Sequence, residues 1–303
     1  MPSDAAPSCL GWLSRPLTAL DDAEGEVVDG DLPYVVDAHV HVFPEKVMAA
    51  MYRWFDTHGW PIRHKLMAEG VLDFLLARGV GHVVALHYAH RAGIARSLNA
   101  FLADVVRSRP RVTAVATVYP GEPQAVDILR EGFALGLRGV KLHCHVQAFA
   151  VDDPRLHDVY DACVEADQPL VVHAGREPRS QAYPVDPALL CGVARMESVL
   201  RSYPRLRVCV PHLGADELAA YGVLLQRYDN LWLDTTMVLA DYFPVERPEE
   251  LVLLRPERVM YGTDFPILPY AWDRELARIK RLGFSDAVLE RLLATTAKEF
   301  HRL

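Results

Sequence analysis

The stretch YVVDAHVHV, residues 34–42, opens the repeat that decides the fold. It is short, apolar and rich in β-branched residues, the pattern of a strand buried on both faces. Runs of the same kind return seven times: GHVVALHY at 81–88, RVTAVATVYP at 111–120, LRGVKLHCH at 137–145, PLVVHAG at 169–175, LRVCVPHLG at 206–214, NLWLDTT at 230–236 and RVMYGTDF at 258–265. Their starts lie 24 to 47 residues apart. Longer segments with apolar residues at helical spacing fill the intervals, among them GIARSLNAFLADVVRS (93–108), PQAVDILREGFALG (123–136), PRLHDVYDACVEAD (154–167) and PALLCGVARMESVLRSY (187–203). Asp153-Pro154 and Asp186-Pro187 read as helix starts, an acidic cap followed by a proline in the first turn. Two further helices, WDRELARIKRLG and SDAVLERLLATTAKEF, follow the eighth run. Eight β-then-α units over 34–303 predict a single α/β domain, a (β/α)8 TIM barrel. A doubly wound sheet is the alternative, but it usually needs fewer strands. Residues 1–33, rich in Asp, Ala, Gly and Pro, read as an N-terminal extension laid over that body.

Composition bounds the rest. The chain has 303 residues, 51% hydrophobic and 24% charged, which excludes disordered and fibrous classes. Forty acidic against 32 basic residues give a net charge of -8, an unfavourable surface for nucleic acid or anionic lipid. Five scattered cysteines (Cys9, Cys144, Cys163, Cys191, Cys209) without a CxxC spacing read as reduced thiols. Neither a signal peptide nor a bilayer-length apolar run is evident, so a cytoplasmic protein is expected. The expected partners are a small-molecule substrate and a second copy in a homodimer, with no nucleic acid and no membrane.

Barrels place their chemistry at the C-terminal ends of the strands. His39 and His41 end the first run, His87 the second, His143 and His145 the fourth, His173 the fifth, His212 the sixth and Asp264 the eighth. His39 and His41 are two apart, so a strand sends both to one face, here the barrel interior. Two buried imidazoles side by side call for a divalent metal or for a hydrogen-bonded core pair. Taken singly, His173 reads as a core histidine, His212 as a residue preceding a helix, and Asp264 as a turn former before Pro266. Their joint position in the barrel order favours a metal centre.

The segments VVDAHVH (35–41), GVKLH (139–143), VVHAG (171–175), VPHLG (210–214) and YGTDFP (261–266) resemble the amidohydrolase superfamily. They are closer still to its amidohydrolase-2 branch, which holds aminocarboxymuconate-semialdehyde decarboxylase-like enzymes, γ-resorcylate decarboxylase and true hydrolases. The resemblance implies that His39, His41, His173 and Asp264 bind one divalent metal, with His212 beside it as acid or base. Two departures stand out. Thr296-Ala297 replaces a frequent Asn-Ala pair, which touches packing only. Lys141 lies where binuclear members carry a carboxylated lysine, so a second metal stays open while one is expected.

Three imidazoles and a carboxylate suit Zn2+, and Mn2+, Fe2+ or Co2+ use the same ligands. The expected reaction is hydrolysis of an amide, lactone or related bond by metal-activated water, with Asp264 shuttling a proton to the leaving group. Non-oxidative decarboxylation of a small aromatic or unsaturated acid is the alternative, and a catalytically dead barrel the third reading. Arg176, in HAGREP, reads either as a clamp on a substrate carboxylate or as a salt bridge to Glu177 or Asp216. Lys141, His143 and His145 alternate along the fourth run and are expected to face the substrate, with Cys144 turned away into packing. Tyr52, Trp54, Phe55 and Trp60 after the first strand read as a lid or as ordinary core. Tyr242, Tyr270 and Trp272 read as walls of an apolar pocket, suiting a cyclic or aromatic carboxylate.

Overall fold

The computed structural model describes residues 22–175, 182–242 and 245–303. Eight parallel strands run in chain order: β1 (Val36–His41), β2 (His82–Leu86), β3 (Val112–Ala114), β4 (Val140–His143), β5 (Leu170–His173), β6 (Val208–Val210), β7 (Leu231–Asp234) and β8 (Val259–Met260). They form two ladders, β1-β2-β3 and β4-β5-β6-β7-β8. Hydrogen bonds across both seams join these ladders into a ring. Ala116 N–H donates to Gly139 O (2.9 Å) and Lys141 N–H to Ala116 O (2.8 Å). On the other side Ala38 N–H donates to Tyr261 O (3.0 Å), His41 N–H to Phe265 O (2.8 Å) and Asp264 N–H to His39 O (2.9 Å). The predicted TIM barrel is therefore present, and it is the fold that explains the eightfold repeat.

Helices α1 (Glu45–His58), α2 (Ala68–Ala77), α3 (Ala95–Val106), α4 (Ala125–Ala134), α5 (Cys144–Gln147), α6 (His157–Glu165), α7 (Val193–Ser202), α8 (Leu218–Arg227), α9 (Glu249–Leu254), α10 (Arg274–Arg281), α11 (Asp286–Glu290) and α12 (Thr296–His301) lie outside the strands. Their apolar faces and the outward strand residues make the main core, with Val35, Val40, Val83, Leu142 and Val172 in it. A second core fills the barrel itself: Val36, Ala38, Val84, Leu86, Val115, Val171, Cys209, Trp232 and Met260, closed below by Ala297 and Phe300 of α12. Thr296 donates its hydroxyl to Pro256 O (3.1 Å) and Ala297 is fully buried, so the Thr-Ala pair serves packing.

Two sequence readings need adjustment. Asp153 and Asp186 do cap, accepting N–H bonds from Arg155 and Ala188, but they start short 3₁₀ turns at Pro154–Leu156 and Pro187–Leu189. Helix α7 begins later, at Val193. The fourth run also stops being strand at His143, because Cys144 starts α5. Residues 1–21 of the extension, including Cys9, lie outside the described residues. The portion from 22 to 33 runs along the barrel flank. Asp22 pairs with Arg274 (2.7 Å), Glu24 with His64 (2.8 Å), and Gly25 N–H donates to Asp273 (2.9 Å). The other four cysteines are free and buried. Among the described residues no helix is long and apolar enough to cross a membrane.

Candidate metal centre

The site begins with an irregularity in β1. Asp37 pairs with Val83 and Val40 with Ala85, so three steps on β1 match two on β2, a one-residue bulge. A bulge exchanges the two faces of a strand. Before it, Val36 and Ala38 point into the barrel; after it, Val40 and Val42 point outward. His39 and His41 thereby turn inward, with ring centroids 5.1 Å apart. Asp37 holds the kink: its Oδ1 accepts the N–H of His39 (3.2 Å) and of Thr263 (3.0 Å), and its Oδ2 accepts the Thr263 hydroxyl (2.6 Å). This ties the bulge to the segment after β8, where Asp264 stands.

Asp264 Oδ1 lies 2.9 Å from His41 Nε2 and 3.4 Å from His39 Nε2. One ligand atom from each of His39, His41 and Asp264 falls within 4.8 Å of the others, and all three residues are buried. His39 Nδ1 is 2.8 Å from Asp234 Oδ2, and its Nε2 is 3.3 Å from Lys141 Nζ. A carboxylate only accepts and an ammonium only donates, so the proton sits on Nδ1 and the lone pair on Nε2, where Lys141 faces it. That lone pair faces the Asp264 carboxylate at 3.4 Å, an acceptor against an acceptor. A cation between them removes this conflict, so the residues present fit a divalent metal.

Protonation states agree. Burial lowers the pKa of His39 well below the usual imidazole value, with the Lys141 charge adding to it, and burial lowers that of His41. Burial alone would raise the Asp264 carboxyl, but His41, His39 and His212 outweigh it and hold the group below the carboxylate range. Neutral imidazoles and an ionised carboxylate are the forms a cation needs. Burial also brings Lys141, fully enclosed, down to about 8, and pushes Asp37 up to about 7.

The remaining predicted residues are distributed unevenly. His173 is not within the His39–His41–Asp264 cluster. Its ring stacks on His143 (4.0 Å, 9°) and lies 4.6 Å from His212. His143 and His173 are paired across β4 and β5, so the register creates the stack. His145, although on α5, keeps its ring 4.9 Å from His173, and Cys144 packs into the outer core as expected. His212 follows β6 at φ 55° and Asp264 at φ 75°, two non-glycine residues in the left-handed region. Such strain persists only where surroundings enforce it. Here a Cβ on Gly175 would come within 2.7 Å of Gly214 O, so glycines let the loops bearing His173 and His212 touch backbone to backbone. His212 Nδ1 is 3.0 Å from Thr236 O, which puts the proton on Nδ1; Nε2 is buried with no hydrogen-bond partner among the described residues. His87 belongs elsewhere. Its Nε2–H donates to Asn99 Oδ1 (3.1 Å) and burial lowers its pKa to about 3, so it is a structural histidine. Arg176 and Glu177 lie outside the described residues.

The aromatic residues divide between core and rim. Tyr52 is buried and donates to Leu66 O, and Trp60 donates to Ile267 O (3.1 Å). Trp272 corrects the pocket-wall reading: it is 1% exposed and donates to Gly25 O (2.9 Å), anchoring the extension. Tyr242 and Tyr270 are buried against each other, 5.3 Å apart. Trp54 does reach toward the site, through Tyr183 (5.7 Å) and from there to His145 (5.5 Å). Tyr88 packs edge-on against His143 (4.8 Å) and His41 (5.8 Å). Sequence reasoning missed Tyr88, Tyr183, Asp37 and Asp234. The only signal for the last two was their place in predicted strands.

Among solved structures the chain is similar to 5-carboxyvanillate decarboxylase of Novosphingobium aromaticivorans in complex with manganese and 4-hydroxy-3-methoxy-5-nitrobenzoic acid. The identity is 19%, the match covers 93% of this chain and 100% of that one, and the TM-score is 0.69. An amidohydrolase from Burkholderia multivorans matches at 18% identity over 89% of this chain and 100% of that one, TM-score 0.66. A probable 2-pyrone-4,6-dicarboxylic acid hydrolase of Acinetobacter baumannii with bound citric acid matches at 13% identity over 89% and 100%, TM-score 0.63. Identities this low speak for the fold. No curated protein matches the sequence. The amidohydrolase family model (Amidohydro_2) matches residues 36–303, the whole barrel with all eight strands, and the chain belongs to that family.

Proposed function

We propose that this protein is a metal-dependent hydrolase of a small carboxylate-bearing cyclic or aromatic compound, cleaving an amide, lactone or related bond. The observation that carries this reading is His212. With its Nδ1 proton given to Thr236 O, its buried Nε2 is an acceptor, the state of a general base that takes a proton from water. His39, His41 and Asp264 would hold the cation, with His173 completing the set from the end of β5. When bound, the cation supplies a Lewis acid and lowers the pKa of water at the site toward neutrality. Zinc suits this donor set, and manganese belongs in every test.

The chain's own residues do the rest. His212 takes the proton at Nε2 and can return it to the leaving group, and Asp264, ionised, accepts a proton in the same space. Lys141 and His143 line the inner wall from β4 and are assigned to the substrate anion. Arg176, two residues beyond Ala174, is assigned the same task. Trp54, Tyr183 and Tyr88 offer ring faces at the approach, which suit a flat substrate.

Decarboxylation is the second reading, favoured by the likeness to 5-carboxyvanillate decarboxylase and by these ring faces. One experiment separates the two. Purified protein loaded with zinc or manganese is offered lactones, cyclic amides and aromatic carboxylic acids in ¹⁸O-labelled water. Label entering a product carboxyl supports hydrolysis, and carbon dioxide release with no label in the organic product supports decarboxylation. Failure to bind either metal would overturn both.

A further inference from the structure

One carboxylate outside the cation cluster touches both His39 and His212. Asp234, the last residue of β7, is 1% exposed. Its Oδ2 accepts the Nδ1–H of His39 (2.8 Å), and its Oδ1 accepts the backbone N–H of His212 (3.2 Å). Cys209 adds a weak thiol contact to Oδ2 (3.8 Å). Resting on the metal reading above, we infer that Asp234 is the positioning residue of the centre, which selects the metal-ready tautomer of His39 and anchors His212 beside it.

The chemistry follows from donor counts. An ionised carboxylate offers two oxygens that only accept, and here two N–H groups take them. Accepting from Nδ1 leaves the His39 lone pair on Nε2, the nitrogen facing Asp264 and His41. A protein group at the far ring nitrogen that fixes the tautomer is the usual support for a metal-binding histidine. The second bond has a different effect. His212 stands at φ 55°, and the loop that carries it continues at φ 50° through Leu213, so an anchor on its N–H is what keeps this backbone in place. Lys141 reports the same tautomer independently, since its ammonium points at His39 Nε2 from 3.3 Å.

Asp234→Asn tests this directly, because an amide has the same shape but one accepting oxygen and one donating NH2. If the oxygen stays with His212, the NH2 faces His39 Nδ1, and the ring must place its proton on Nε2, where a cation would bind. If the oxygen stays with His39, the NH2 confronts the His212 N–H. In the first orientation zinc and manganese affinity should fall about 10- to 100-fold, measured by competition with a chromophoric chelator. In the second orientation metal affinity is kept, and kcat at saturating metal falls at least about tenfold with KM little changed, because the cation does not restore the His212 anchor. Unchanged metal affinity together with unchanged kcat, in a variant with wild-type circular dichroism, overturns the inference. The tautomer is also read on the wild-type protein without metal, from the ¹⁵N shifts of His39. A protonated Nδ1 and bare Nε2 support the inference, and a protonated Nε2 overturns it whether or not Asp234→Asn folds. If the wild type binds no metal while His39 shows the expected tautomer, the metal reading fails and the role of Asp234 in setting the ring stands.

Discussion

Gly262→Ala is the sharpest probe of how the barrel wall sets the centre. Gly262 lies two residues before Asp264, and a Cβ there would sit 2.7 Å from His39 Cβ, 2.9 Å from Thr236 Oγ1 and 3.3 Å from His39 N. Carbon atoms in contact prefer about 3.5–4.0 Å, so the β8 segment and β1 must separate by roughly 1 Å. The Thr236 hydroxyl can rotate, but the His39 backbone and the first carbon of its side chain cannot swing aside. The backbone at Gly262 is not left-handed, so the contact alone carries the cost. Overpacking of this kind costs about 1–3 kcal/mol. With about 2 cal/mol/K of unfolding entropy per residue, that is a melting point lower by roughly 2–5 °C. The separation falls where Asp264 N–H meets His39 O at 2.9 Å and where Asp264 Oδ1 faces His39 Nε2 at 3.4 Å. Metal affinity should therefore fall about tenfold or more, beyond what the melting point alone records. Calorimetric titration with zinc and a thermal melt read both, and Gly30→Ala, where a Cβ meets nothing within 4 Å, is the control. A lowered melting point with unchanged metal affinity would refute the argument that this spacing sets the site.

His212→Ala should keep its metal and lose turnover by about 10²- to 10⁴-fold; retained turnover removes His212 from the mechanism. Glu275 on α10 is 2% exposed, and burial, reinforced by Asp234 and Asp37, pushes its carboxyl from 4.5 up to about 8. Between those values the folded chain holds a proton that the unfolded chain releases, so stability falls as pH rises through that window and levels off above it. Glu275→Gln removes the effect: urea melts should show the variant gaining on wild type by a few kcal/mol from pH 5 to pH 9, and parallel curves would contradict the assignment. Among the described residues the centre holds the Asp234 and Asp264 carboxylates against one ammonium, Lys141, and a dication reverses that sign. Citrate or a benzoate should accordingly bind the metal-loaded protein at least tenfold more tightly than the chelated one, and equal affinities would count against an anionic substrate.

Much of this architecture is legible in local patterns. Asp153-Pro154 announces a capped start because capping involves only the next two residues, although it opens a 3₁₀ turn and not directly the helix read there, and the alternation of apolar runs announces the strands because burial on both faces leaves little room for polar positions. The parts that escape are those decided across the barrel. Spacing puts His39 and His41 on one face, but strict alternation along YVVDAHVHV would put Val36 and Ala38 on the other. Both pairs point inward because of a bulge that the sequence does not mark, and that bulge is held by Thr263, 226 residues away from Asp37. Asp234 likewise looks like any polar residue at a strand end until β7 and β1 are brought opposite each other. Trp272 reads as a pocket wall because nothing in the composition of 22–33 says that Gly25 will cover it.

The same distinction explains where the backbone is strained. Outside the centre, non-glycine residues at positive φ are scattered singly, at Gln124 or Asp167, for example. Beside it they cluster: His212, Leu213 and Ala215 surround Gly214 after β6, and Asp264 stands alone after β8. Left-handed residues in series oppose local preference, so nothing in VPHLGAD favours this path by itself. The surroundings enforce it: Asp234 takes the His212 N–H, Thr236 O takes its ring, and Gly175 lets the β5 loop close against Gly214. On the opposite side, His39 O takes the Asp264 N–H and Asp37 takes the Thr263 N–H. His212 and Asp264 are thus held from neighbouring strands rather than by their own segments. A site built this way gains rigidity from barrel closure, because the ring of strands must be complete before either histidine or aspartate can adopt its position.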